Sequence, residues 1–326
     1  MKAWQVTTYG EPKEALQMTD IPEQELSANQ VRMKVDSFAM NFFDILLCRR
    51  EYQEDPDLPF TPGAEVAGVI TEVGEKSSLQ VGQRVLATPA LPNGGYAEQV
   101  VVDERGVYTI PDSMSSDDAA SLHITYQSAL YGLKYRGNVK VGETVLVHAA
   151  SGGIGSAAVQ LAKAYGATVI ATAGSEEKLK KCKEIGADFT INYREEDFIP
   201  IVKEITEGKG ADVIFDPVGG ETFQKSRKCI AFDGRILVIG FAGGHIPEAP
   251  MNHVLIKNYS LVGVHFGYFK RLYPERVQEM HKELIDLYEQ GKIKPLIYKK
   301  YLFNEVVEGL EALQGRKTYG KLIVNV

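Results

Sequence analysis

The chain has 326 residues, with 36 Lys and Arg against 43 Asp and Glu and a formal net charge of -7. That balance, with no block of basic residues, argues against a nucleic-acid partner and against an anionic membrane surface. A hydrophobic share of 44% and a charged share of 24% describe an ordinary soluble globular protein, long enough for two domains. No apolar run reaches the roughly 18 residues of a membrane span. The three cysteines, Cys48, Cys182 and Cys229, are odd in number and far apart. They form neither a disulfide framework nor a Cys-x-x-Cys metal site, which points to a reducing, cytoplasmic setting. Residues 1–6 read as a first strand without the apolar core of a signal peptide.

Residues 1–122 read as short strands at 31–35, 65–70, 84–87 and 96–102, separated by glycine and proline turns. That punctuation suggests a compact, barrel-like β domain. From Ser116 the pattern becomes helical, first over 116–122 and then over 126–134. Residues 144–149 alternate and branch like a buried strand. Ser151, Gly152, Gly153, Ile154 and Gly155 make a tight turn. Residues 156–165 have helical propensity and stop at Gly166, and 167–173 form a second apolar strand. Strand, glycine turn, helix and strand within about 30 residues is the layout of a dinucleotide-binding unit. A turn without side chains lets the backbone approach a pyrophosphate, and the helix N-terminus offers it free N–H groups.

The alternation continues with helices at 176–185 and 195–206 and after 220, and strands at 189–191, 212–215, 234–240 and 259–264. It predicts a parallel sheet covered on both faces. Two amphipathic helices, near 274–290 and 304–313, and final strands look like a return to the first domain. The expected division is therefore 1–122, then a cofactor domain over 123–264, then 265–326 rejoining the first part.

The residue strings 41–44 (NFFD), 62–68 (PGAEVAG), 94–98 (GGYAE), 149–155 (AASGGIG), 191–194 (INYR), 216–220 (DPVGG) and Gly320-Lys321 occur in order. On these the chain resembles the medium-chain dehydrogenase/reductase superfamily along its whole length. Within it, the chain is similar to the zinc-free quinone oxidoreductase branch that includes zeta-crystallin. The resemblance implies an α/β fold: a Rossmann doubly wound parallel sheet inserted into a GroES-like β-barrel domain, the active site in the cleft between, and a homodimer. It also implies that Thr125, the turn residues 151–155, Val218, Gly240, Phe241, Phe266 and Lys321 serve the cofactor. Thr125 read alone is as well explained as an N-cap or core hydroxyl, and Phe241, Phe266 and Tyr268 as simple core packing.

Zinc-dependent relatives have Cys-x-x-Asp where this chain has Asn41-Phe42-Phe43-Asp44, and Gly-His-Glu where it has Gly63-Ala64-Glu65. Two ligands are replaced, and the six histidines show no metal-ligand spacing, so no metal is expected. NAD-specific units carry an acidic residue about 20 positions after the turn. Here the second strand ends in Ala173-Gly174-Ser175, and the first carboxylate is Glu176. Gly174 leaves room for a 2′-phosphate, Ser175 can donate to it, and Lys178, Tyr193 and Arg194 can close round it. The expected cofactor is NADPH. With neither a Lewis acid nor a paired tyrosine and lysine in the cofactor unit, the substrate must already be electron-poor: a quinone, or an alkene conjugated to a carbonyl. Tyr288 and Lys292 have suitable spacing but straddle Gly291 outside that unit. The candidate catalytic residues are Asn41, whose amide can donate to an oxyanion; Asp44, which orients neighbours; and Tyr52, which could donate a proton or line the cleft. Two other readings stay open: an enoyl-thioester reductase on the same scaffold, and a nonenzymatic NADPH-binding protein of crystallin-like or redox-sensing type.

Overall fold

A computed structural model describes residues 1–326, and the chain divides into two compact units. One comprises Met1–Ile124 and Ile297–Val326, the other Thr125–Leu296.

In the first unit the strands are β1 (Lys2–Val6), β2 (Leu16–Asp20), β3 (Gln30–Met40), β4 (Val66–Val73), β5 (Arg84–Ala87), β6 (Gln99–Asp103) and β7 (Val107–Thr109). β3 is the organising strand. It alternates buried Val31, Met33 and Val35 with more open residues, as a strand with one face on a core must. β4 pairs along most of it, while the opposite edge is shared: β6 takes its first half. The second half takes the last strand of the chain, Lys321–Asn325, with Leu322 opposite Met40. That register sets the next residues on each strand, Lys321 and Asn41, side by side.

In the second unit β8 (Thr144–Val147), β9 (Thr168–Ala173), β10 (Phe189–Asn192), β11 (Ala211–Asp216), β12 (Ile230–Val238) and β13 (Ser260–Gly263) form one sheet in the order β10-β9-β8-β11-β12-β13. Every pairing is parallel. Counted from β8 the order is 3-2-1-4-5-6, the doubly wound dinucleotide-binding arrangement. β11 is buried at every position, as a central parallel strand with helices on both faces should be. β14 (Ile297–Leu302) and β15 (Lys321–Asn325) close the chain in the first unit, paired parallel to each other.

The return to the first unit comes at Ile297, and not at residue 265 as the sequence suggested. Helix Pro274–Glu289 belongs with the parallel sheet. It buries Val277, Met280, Leu284 and Leu287, accepts from Gln127 at the Val277 carbonyl, and binds Lys134 and Tyr165 through Glu283. Its amphipathic pattern announces a buried face but not the partner. The expected helix over 126–134 is also different: an α-helix, His123–Leu130, runs into a π-helical stretch, Tyr131–Arg136. Short helices at Met251–Lys257 and Phe266–Leu272 follow β12 and β13, where no helix was expected.

Candidate active site

In the first unit three chain segments converge at the end of β3. Asn41 follows β3, Glu65 precedes β4, and Lys321 opens β15. All three are buried, Asn41 at 7%, Lys321 at 4% and Glu65 at 0% exposure. The Lys321 ammonium donates to Asn41 Oδ1 at 2.6 Å and to Glu65 Oε1 at 2.7 Å. Glu65 Oε1 also accepts from the Asn41 amide at 3.1 Å, and its Oε2 accepts from the Ile124 N–H at 2.8 Å. The second Asn41 amide proton points to the Ala39 carbonyl at 3.4 Å. The Asn41 amide, expected to face an oxyanion, is thus turned inward by its neighbours.

Asp44 lies one layer deeper. It sits at the third position of helix Phe42–Cys48, and its Oδ2 accepts from the Asn41 backbone N–H at 2.8 Å, the reverse half of a capping box. The Tyr96 hydroxyl donates to the same oxygen at 2.8 Å. Asp44 Oδ1 is buried without a partner. Burial pushes Asp44 up to about 7, against the opposing pull of the Asn41 N–H, Tyr96 and Lys321. Tyr96 itself is fully buried and stacked on Phe38, with centroids 4.5 Å apart. The glycines of the strings at 62–68 and 94–98 explain its place. Gly94, Gly95 and Tyr96 hydrogen-bond to Thr61, Gly63 and Pro62, and a Cβ on Gly94 would sit 2.3 Å from the Pro62 carbonyl oxygen. Tyr52 is half-exposed, its ring stacked on Phe43 at 5.4 Å, and burial first, then Glu54 and Asp44, raises its phenol.

In the second unit the turn after β8 presents Ser151 and Gly152–Gly155 at the start of helix Gly153–Ala164. No side chain caps that helix, so its first N–H groups remain available to an anion. The glycines differ in purpose. A Cβ on Gly155 would stand 2.2 Å from the Ala149 carbonyl oxygen, whereas one on Gly152 would stand 3.4 Å from it. Beneath the turn, His148 joins Thr172 of β9 and Ser226 of helix Gly220–Cys229 at 3.0 and 2.8 Å, and burial lowers it to about 4. Nothing in the sequence singled out this tie, because an isolated histidine on a strand carries no pattern.

At the end of β9, a Cβ on Gly174 would meet the Tyr193 hydroxyl at 2.8 Å and Arg194 Nε at 3.0 Å. Lys178 is held below the usual lysine range, first by burial and then by the Arg194 charge. Ser175 caps its helix by accepting from the Lys178 N–H. A guanidinium and a phenol beside a glycine, with Lys178 within electrostatic reach of Arg194, suit a phosphate monoester, so these residues fit the 2′-phosphate of NADPH. At the ends of β11 and β12, Asp216 Oδ1 accepts from the Val218 and Gly219 N–H groups, and Gly240 and the half-exposed Phe241 follow β12. Phe266 is 7% exposed and packs with Tyr131 and Phe269, the core role that was its alternative reading. Thr125 is buried in helix His123–Leu130. No three of His, Cys, Asp and Glu are grouped as a metal site.

Two family models match: the alcohol dehydrogenase GroES-like domain over residues 27–112, and the zinc-binding dehydrogenase model over 153–286. Over 305 residues the chain is 42% identical to a quinone oxidoreductase-like protein 2 homolog of Nematostella vectensis, covering 93% of this chain and 83% of that protein. The chain belongs to the zinc-free quinone oxidoreductase branch of the medium-chain dehydrogenase/reductase superfamily. Human quinone oxidoreductase is 33% identical over 326 residues, 99% of this chain and 97% of its own. The Escherichia coli quinone oxidoreductase crystallised with NADPH superposes with a TM-score of 0.91 at 27% identity, covering 100% of both chains. The strings at 41–44 and 62–68 thus meet at an amide, a carboxylate and the Lys321 ammonium.

Proposed function

We propose that the protein is an NADPH-dependent oxidoreductase that passes hydride to a quinone or to an alkene conjugated to a carbonyl, without a metal ion. The observation that carries this reading is the Lys321 ammonium between Asn41 and Glu65. It supplies a fixed hydrogen-bond donor where zinc-dependent relatives place ligands, suited to an acceptor that is already electron-poor. NADPH, when bound, supplies the hydride. Ser151 and the glycine turn receive its pyrophosphate, and Lys178, Tyr193 and Arg194 round Gly174 receive its 2′-phosphate. Val218, Gly240, Phe241 and Thr125 line the remaining cofactor path, and Phe266 supports it from the core. Asn41 and Asp44 order the acceptor side, and Tyr52 lines its mouth.

The relatives named above support this assignment through the activity in their names and, for the E. coli enzyme, its ligand. A homodimer fits the second unit. β13 is an edge of the parallel sheet, and in the segment leading into it Ile246, Met251, Leu255 and Ile256 are 68–79% exposed, apolar surface suited to a second copy. A cytoplasmic location fits three free, buried thiols.

The test is isotopic. With NADPH carrying deuterium at both C4 positions and a simple enone as acceptor, deuterium should appear on the β-carbon of the saturated ketone. Unlabelled product, or no product with quinones and enones alike, contradicts the proposal.

A further inference from the structure

The donors in the Asn41–Glu65–Lys321 cluster are distributed unequally. Both Asn41 amide protons face acceptors of the protein itself, Glu65 Oε1 and the Ala39 carbonyl. An ammonium has three N–H groups. Two of those on Lys321 go to Asn41 Oδ1 and Glu65 Oε1. One remains. Glu65 is sealed at 0%, while Lys321 and Asn41 keep 4% and 7% at the surface, so exposure sets both apart from Glu65 and the choice between them rests on their donors. Glu65 is also held at both oxygens, by Lys321 and Asn41 on Oε1 and by the Ile124 N–H on Oε2. A fully buried ion pair is a poor stabiliser, because desolvation cancels most of its attraction. Its geometry is better suited to fixing one donor in place before any charge develops.

We propose that Lys321, rather than Asn41, donates to the acceptor oxygen that gains negative charge as hydride arrives, and that Glu65 is the residue that positions it. The inference rests on the hydride-transfer reading above. The acceptor takes two electrons with the hydride. For a conjugated alkene, the C–H bond that carried the hydride breaks, its electron pair forms a new C–H bond at the β-carbon, the C=C π pair moves toward the carbonyl, and its oxygen becomes anionic. The third N–H of Lys321 stabilises that oxygen by hydrogen bonding. No bond at Nζ is broken, and water supplies the proton that completes the reduction. Asn41 then acts as a brace, its carbonyl oxygen fixing one ammonium proton so that the free one has a set direction.

The test separates this assignment from the reaction itself. para-Nitrophenol, whose phenolate mimics the charged oxygen and absorbs differently from the phenol, is titrated onto the protein with NADP⁺ bound. Wild type should hold the probe as phenolate at a pH where free probe is mostly neutral. Lys321→Met should abolish that signature and lower kcat with enones by about 100-fold. Glu65→Asp keeps the charge but withdraws the anchor by one methylene. It should weaken the phenolate signature and lower kcat roughly tenfold, leaving KM for NADPH within about twofold. The double variant E65Q/K321M removes both charges and retains a foldable core if a single change does not. A phenolate signature unchanged in Lys321→Met, or failure of the probe to bind wild type, overturns the proposal. A lysine-dependent signature in a protein that reduces neither quinones nor enones leaves Lys321 in place and removes the reaction reading instead.

Discussion

The Tyr96 hydroxyl donates to Asp44 Oδ2 at 2.8 Å, while Asp44 Oδ1, equally buried, has no partner. A carboxylate there would be half satisfied, whereas a protonated acid places its hydrogen on the orphaned oxygen. Burial accordingly pushes Asp44 from 3.8 up to about 7. The unfolded chain releases that proton first, so the neutral acid stabilises the fold below about pH 4, and the contribution is lost as pH rises through about 7. Asp44→Asn keeps an acceptor for Tyr96 and cannot ionise. Thermal melts from about pH 5 to about pH 8 should show wild type losing stability relative to the variant, by a few kcal/mol in total. Parallel curves would place the proton elsewhere.

The glycines of the turn separate folding from binding. Gly155→Ala drives its Cβ into the Ala149 carbonyl, so it should destabilise the second unit by about 3 kcal/mol. Gly152→Ala meets only an ordinary contact at 3.4 Å, at a φ of -74° that alanine adopts freely. It should fold within roughly 0.5 kcal/mol of wild type and weaken NADPH about tenfold by crowding the pyrophosphate. Calorimetric melts and cofactor titration of both variants check the distinction; equal stabilities would contradict it.

A Cβ on Gly174 would meet Arg194 and Tyr193, and the Arg194 charge, after burial, holds Lys178 below the usual lysine range. Lys178→Ala and Arg194→Ala should each weaken NADPH roughly tenfold, the order expected for one charge-assisted contact. NADH, which lacks the 2′-phosphate, should change little. Equal losses for both cofactors would remove these residues from a phosphate site.

Leu255 is 79% exposed on helix Met251–Lys257, which precedes the edge strand β13. Leu255→Glu places a charge on each side of an isologous contact, so sedimentation should show monomers where wild type is dimeric, with an unchanged circular dichroism spectrum. A wild-type monomer, or an unaffected dimer, moves the interface elsewhere.

Much of this was legible in the residues. The β8–turn–β9 segment announced itself through glycine placement and a change in hydrophobic period, and the missing acidic residue at Gly174 pointed to a phosphate. The strings at 41–44 and 62–68 were visible as altered metal-ligand segments. What the sequence could not show was direction. Asn41 was expected to donate outward, but its amide protons are consumed by Glu65 and Ala39, a fact set by the antiparallel register that brings in Lys321 from 280 positions away. Glu65 and Tyr96 lay inside recognised strings without a role, because spacing along the chain does not say which side chain a glycine clamp turns inward. The boundary at 265 failed for a similar reason. Helix Pro274–Glu289 has an amphipathic face, and only packing shows which core receives it.

The central claim is tested most directly by NADPH oxidation followed in parallel with naphthoquinone, a simple enone and crotonyl-CoA, using protein exhaustively treated with a chelator. Turnover of the quinone or enone by the chelated protein, with NADPH strongly preferred over NADH, is the expected result. Turnover of crotonyl-CoA alone, activity that vanishes with chelation and returns with zinc, or tight NADPH binding with no turnover would contradict it.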